Sequence, residues 1–275
     1  MTALDQAFIK AYTPASVMPQ AMMQPAVSFV EPARDEVPDE PPARTREVQP
    51  PMPVDRFRPA YQVDQFAWSP TAGKLSLSAG LQLDRLADGL AAGLSEGRKV
   101  IGLGACSQGE GCTTLLLCAA RRLAQHGLNV LMVDADVDHP CLARRLGLMP
   151  ETGWEDVLAG RVPPAEAVIE SLQDRLSILP LRGLSAEQDT PARLTVSPAT
   201  SLAVLREHYE LILVDLGELN NAMPAGQPLE AAAHWLDAVV LVHNVRTTPQ
   251  AELMQTRDRL QMAGIAEAGI AENFV

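Results

Sequence analysis

The stretch KVIGLGACSQGEGCTT, Lys99 to Thr114, passes from a short apolar run into a glycine-rich segment and opens the helix-forming CTTLLLCAARRLAQH. A short apolar run followed by a helical pattern reads as strand, loop and helix in order. That is the setting in which a glycine loop binds phosphate. Gly109 and Gly111 let successive backbone amides turn toward one anion, and the helix N-terminus adds a favourable field. Glu110 and Cys112 lie between and after them, and Thr113 and Thr114 bring hydroxyls of the kind that ligate magnesium. A lysine ordinarily follows the last glycine and neutralises the outer phosphates. Here that place holds Cys112. At a helix start its thiol could ionise readily and be redox-sensitive, although cysteine is more commonly a small core filler.

Outward from the loop, the apolar runs at Asn129 to Asp134, Arg175 to Pro180, Leu211 to Asp215 and Ala238 to His243 read as further strands. Helical patterns fall between them at 155–158, 164–171, 202–208 and 252–263. A helix marked by Leu83, Leu86, Leu90 and Leu94 precedes the loop and ends at Gly97. Alternating strands and helices predict an α/β fold: a doubly wound, mostly parallel sheet with helices on both faces, P-loop NTPase-like. Ligands in such sheets bind at the carboxyl ends of the strands. Asp134 and Asp136 follow one strand and Asp215 ends another, so these acids are expected beside the loop. Any one of them could instead cap a following helix; the ordered set points to phosphate chemistry.

The composition fits. Of 275 residues 47% are hydrophobic and only 4% aromatic, enough for a full core of helices on a sheet. A net charge of −12 opposes a nucleic-acid partner. No apolar stretch is long enough for membrane insertion, and the four dispersed cysteines fit a cytoplasmic protein. Residues 1–70 hold 12 of the 22 prolines and none of the 18 glycines. They predict a disordered, Pro-rich tail over 1–74 and a folded domain over 75–275. Within the tail, Leu4, Phe8 and Tyr12 have a helical spacing, and residues 57–68 carry four aromatics that could pack on the domain.

Taken in order, GEG-x-TT, VDADVDHP, GWEDVLAG, LSILP, HYELILVD and GIAENFV resemble the bacterial tyrosine kinases of capsule and exopolysaccharide systems. These are relatives of the septum-positioning and partition ATPases, and the resemblance covers about residues 78–275. It implies ATP and Mg2+ as cofactors, with Gly109, Glu110, Gly111, Cys112, Thr113 and Thr114 forming the phosphate loop. Asp134 and Asp136 would be the catalytic acids, Asp215 the Walker-B acid, and Thr113, Asp136 and Asp215 the magnesium ligands. Asn273 would face the adenine. The implied partner is a membrane polysaccharide co-polymerase or export complex, met at the inner face of the membrane.

The departures bear on activity. Besides Cys112, the chain has Asp138 and His139 where the family has arginines, and Leu216-Gly217-Glu218 where it has Thr-Pro-Pro. LQLDRLA, Leu81 to Ala87, lacks the charges of the family's self-association helix, so ring assembly is not expected. Only Tyr12, Tyr61 and Tyr209 are present, and not the family's tyrosine-rich tail. Losing a charge-assisted hydrogen bond costs about 1.5–3 kcal/mol, or roughly ten- to a hundredfold in affinity. Catalysis should suffer more, since phosphoryl transfer depends on positive charge around the migrating group. The expectation is a regulatory or scaffold protein with weak nucleotide binding and impaired catalysis, a pseudokinase. The alternative is an active protein-tyrosine kinase or ATPase using a substitute cation, with Arg121, Arg122, Arg144 and Arg145 as candidates by sequence proximity.

Overall fold

The computed structural model describes residues 57–182, 195–219 and 228–274. Its strands are β1 (Tyr61–Val63), β2 (Val100–Ala105), β3 (Val130–Asp134), β4 (Ile169–Ser171), β5 (Leu176–Leu179), β6 (Leu211–Glu218), β7 (Ala238–Asn244) and β8 (Glu267–Asn273). The helices are α1 (Pro70–Ser78), α2 (Gly80–Ser95), α3 (Cys112–Gln125), α4 (Leu142–Arg145), α5 (Trp154–Leu158), α6 (Pro164–Ala167), α7 (Pro198–Arg206), α8 (Leu229–Ala232) and α9 (Gln250–Met262). One sheet runs in the order β1-β4-β5-β3-β6-β2-β7-β8. Every neighbouring pair is parallel except β4 with β5. None of the described helices is long and apolar enough to cross a membrane.

The central strands are apolar without alternation because both faces are covered. On one face Ile101, Leu103, Met132, Leu213 and Val240 meet α2 and α3 through Leu83, Leu86, Leu116 and Leu123. On the other, Leu131, Val133, Ile212, Val214 and Leu241 meet Trp154, Leu202, Leu253 and Leu260. The glycines of β2 serve this packing. A Cβ on Gly102 would lie 2.5 Å from Leu216, and one on Gly104 would lie 2.5 Å from Leu219. The continuation of β6 past Asp215 therefore folds its leucines onto the strand that leads into the loop.

Two sequence expectations need correction, and one strand left no signal. The pattern at 164–171 is not one helix: α6 stops at Ala167, and the β-branched Val168 and Ile169 turn extended into β4. Strand β8 has no apolar run, because its residues are mostly small and acidic. The boundary at 75 falls inside α1, and the described fold begins at Phe57. Residues 57–69 form a strap on the domain. Phe57 stacks on His208 at 4.7 Å, and β1 pairs with β4. Phe66 is buried, and Trp68 lies under the Arg121 guanidinium, 4.9 Å from its ring centroid. The helical spacing of Leu4, Phe8 and Tyr12, like the rest of residues 1–56, lies outside the described residues.

Asp174 fastens the strap. Its carboxylate accepts the Phe66 amide at 2.8 Å, the Trp68 indole N–H at 2.8 Å and the Ser171 hydroxyl at 2.6 Å. Asp174→Ala leaves these partly buried donors unmatched and should lower stability by about 2 kcal/mol. Chemical denaturation with Trp fluorescence checks this, and an unchanged midpoint would mean that the strap does not bear on the fold. Truncation at Ser76 removes Phe66, Trp68 and β1 together, and is expected to lower the midpoint further.

Candidate functional site

The loop from β2 to α3 folds as its glycines predict. Gly109 (φ 84°) and Gly111 (φ 89°) take left-handed backbone conformations. A Cβ on Gly111 would also lie 2.8 Å from the Asn273 amide nitrogen. That nitrogen donates to the Glu110 carbonyl at 2.9 Å, so the end of β8 is fastened to the loop. Gly111→Ala should therefore cost about 1–2 kcal/mol through the left-handed backbone alone and dislodge Asn273 as well. A thermal melt of that variant within experimental error of wild type would argue against this fastening.

Glu110 behaves differently from the expected ligand contact. Its side chain turns inward and is 2% exposed. One oxygen accepts the amides of Cys106 (2.7 Å) and Ser107 (3.1 Å). The other accepts the Asn244 amide (3.3 Å) and the Thr248 hydroxyl. The carboxylate therefore braces the loop against the end of β7 and leaves only its backbone for a ligand. Ser107 in turn donates to Glu252 of α9 at 2.8 Å.

At the strand ends the three acids do converge. Asp134 and Asp215 face each other in register on β3 and β6, each 1% exposed. Asp134 accepts the amides of Cys141 and Leu142, both at 3.0 Å, and that of Asp136 at 3.3 Å. It thus caps the turn into α4, the role that any one acid could have had from sequence. Asp215 accepts the Cys112 thiol at 3.5 Å and the Gly217 amide at 3.3 Å, and is hydrogen-bonded by Thr113. Asp136 accepts the His139 amide at 3.0 Å. A Cβ at Gly217 would fall 2.2 Å from the Asp136 carboxylate, so the residue in the family's Pro position must be small here.

Burial dominates the electrostatics. Desolvation first, then the charge of Asp215, raises the Asp134 carboxyl to about 8. Asp215 and Asp136 are also raised, with burial the largest cause in each. The Cys112 thiol, 7% exposed, is pushed well above its ordinary range by burial and then by Asp215. A protonated, buried thiol favours the core-filler reading of Cys112 over the redox-sensitive one: the helix N-terminus is outweighed by desolvation and a neighbouring anion.

A cavity of about 470 Å³ opens over the loop, within the range of small-molecule sites. Gly109 to Leu115, Asp136 and Asn273 line it, and so do His139, Cys141, Arg144 and Arg145 from the β3–α4 region. One wall was not expected from sequence: Thr71, Leu75 and Ser78 of α1. The start of that helix was signalled by Ser69-Pro70, an N-cap followed by Pro at N1, with the Ser69 hydroxyl accepting the Ala72 amide at 3.3 Å. Of the candidate cations, Arg121 covers Trp68 and Arg122 pairs with Asp84 at 3.3 Å. Arg144 and Arg145 remain at the cavity.

No protein-family model matches the sequence. The succinoglycan biosynthesis transport protein ExoP of Rhizobium meliloti (strain 1021) is 29% identical over 153 residues, 55% of this chain and 19% of ExoP. The chain therefore spans about a fifth of the length of that relative. The kinase domain of the Escherichia coli tyrosine kinase ETK superposes with a TM-score of 0.60 at 20% identity, over 73% of this chain and 79% of that domain. The chimerical protein CapA2B2 superposes with a TM-score of 0.61 at 15% identity, over 80% of this chain and 95% of the chimera. Sheet order, loop and strand-end acids define a P-loop NTPase-like fold. Within that class the fold is shared with solved bacterial tyrosine-kinase domains, that of ETK among them.

Proposed function

We propose that this chain is a regulatory or scaffold member of a polysaccharide synthesis and export system, binding nucleotide weakly and catalysing little. The observation that carries the reading is the cavity over a complete glycine loop in which Cys112, a buried neutral thiol hydrogen-bonded to Asp215, holds the lysine position. The backbone cradle supports nucleotide binding, and the missing ammonium accounts for weak binding and poor transfer. ATP and magnesium fit the residues present. Thr113, Asp136 and Asp215 form an oxygen donor set suited to a hard cation, which keeps several waters and ligand phosphates as its other ligands. Three acids raised by burial, with no lysine beside them, are the surroundings that a divalent cation would neutralise.

When bound, magnesium would screen the phosphate charge; the chain's own groups hold and orient the ligand. Amides at the start of α3 receive the phosphates, Thr113 and Asp215 fix the cation, and the Glu110 brace keeps the loop open. Asp134, occupied with the Cys141 and Leu142 amides, shapes the β3–α4 turn that carries Asp136 to the cavity. The likeness to ExoP and to the chimera supports a membrane polysaccharide co-polymerase as partner, met on the cytoplasmic side.

Magnesium-dependent ATP turnover by the purified chain tests the reading. Turnover at the level of the buffer blank, unchanged in Asp134→Asn, is expected. Robust turnover that Asp134→Asn abolishes would make the protein an active ATPase or kinase instead.

A further inference from the structure

Arg145 ends the four-residue helix α4 and lines the cavity beside the first turn of α3. Its Nη1 donates to the Thr114 hydroxyl at 3.3 Å, and its charge and donors bear on the Cys141 thiol beside it. Cys141 is itself 3.5 Å from the Thr113 hydroxyl. The arginine therefore touches the Thr114 hydroxyl of the loop, and Cys141 lies between it and Thr113. Among the described residues no carboxylate forms an ion pair with it. Its backbone is fixed from behind: the Leu146 carbonyl accepts the Ala67 amide of the strap at 3.0 Å, and Gly147 turns with φ 72° against Ala67.

We propose that Arg145 is the phosphate-binding cation of this site, supplying from α4 the charge that Cys112 does not supply from the loop. The proposal rests on the reading of the loop as a nucleotide site and adds to it the residue that makes binding possible. A guanidinium carries a permanent charge and several donors in a plane, a match for adjacent phosphate oxygens. Its donors lie beside Thr114, in the first turn of α3, where the helix amides also face an anion. Displaced to the wall of the cavity, it adds charge to the phosphate chain without reproducing a lysine that follows the outer phosphate from the loop itself. Binding is retained and transfer is poor, as the functional reading requires.

Calorimetric titration of the full chain with ATP and magnesium tests this with wild type, Arg145→Gln and the double variant Arg145→Gln/Cys112→Lys. Arg145 is exposed, so the single variant should fold normally, which a thermal melt verifies. Arg145→Gln should bind ten- to a hundredfold more weakly, the loss of a charge-assisted hydrogen bond. The double variant should regain the wild-type affinity or better, because the lysine charges the same phosphate chain. Unchanged binding by Arg145→Gln would overturn the proposal and leave the nucleotide site standing. Loss without recovery in the double variant would overturn it too, since the arginine would then be acting through structure alone. Wild-type protein that binds no ATP would overturn both the nucleotide reading and the proposal.

Discussion

Cys112→Lys is expected to strengthen the binding of ATP with magnesium by ten- to a hundredfold, with turnover remaining low. The substitution sits at the first helical residue of α3, and its side chain borders the cavity over the loop. A lysine there gives up the thiol contact to Asp215 and extends into the cavity, placing an ammonium near Asp136 and the expected phosphates. One charge-assisted hydrogen bond of about 1.5–3 kcal/mol sets the size of the gain. Turnover stays limited because Leu216 is buried on Gly102 and Asp138 adds a negative charge to the loop after β3. Parallel titrations of the two proteins measure the gain. Equal and tight binding by both would show that the site already has all the positive charge it can use, favouring the active-enzyme alternative.

Asp134→Asn is expected to stabilise the ligand-free protein near pH 8 and to flatten its stability profile. The carboxyl titrates at about 8 in the fold against 3.8 when unperturbed. Between those values the folded chain holds a proton that the unfolded chain has released. Stability therefore falls as pH rises from about 4 to 8 and levels off above, by up to about 1.4 kcal/mol for each pH unit. Asp215 and Asp136 are raised as well and add to the same slope. Asparagine keeps an acceptor for the Cys141 and Leu142 amides but carries no charge, so the gain at pH 8 is on the order of a few kcal/mol. Thermal melts from pH 5 to 9 without added metal follow it. Wild-type stability that climbs across this range would show that the three acids are not held protonated.

How far the sequence carried this account depended on the kind of signal each residue leaves. Strands such as Val130–Asp134 and Ala238–Asn244 are apolar throughout, because both faces are buried, and they were legible. So were Gly109 and Gly111, whose backbone no other residue adopts easily, and the acids at the strand ends. Strand β4 was hidden behind the helical start Pro164–Ala167, and α1 was absorbed into a proline-rich stretch although its Ser-Pro start was visible. Glu110 shows the limit at the level of one side chain. Its place in a glycine loop suggests a ligand contact, yet one of its oxygens accepts from Asn244 and Thr248, 134 and 138 residues away. Arg145 could only be one of four candidates until the fold separated it from Arg121 and Arg122.

The most direct test of the central claim, a nucleotide loop kept in form but weakened in charge, is a titration of the wild-type chain with ATP in the presence and absence of magnesium. The account predicts saturable one-to-one binding that magnesium strengthens, weaker than that of Cys112→Lys under the same conditions. Binding by neither protein, with or without magnesium, would contradict it and leave the Gly109–Thr114 loop as structure alone.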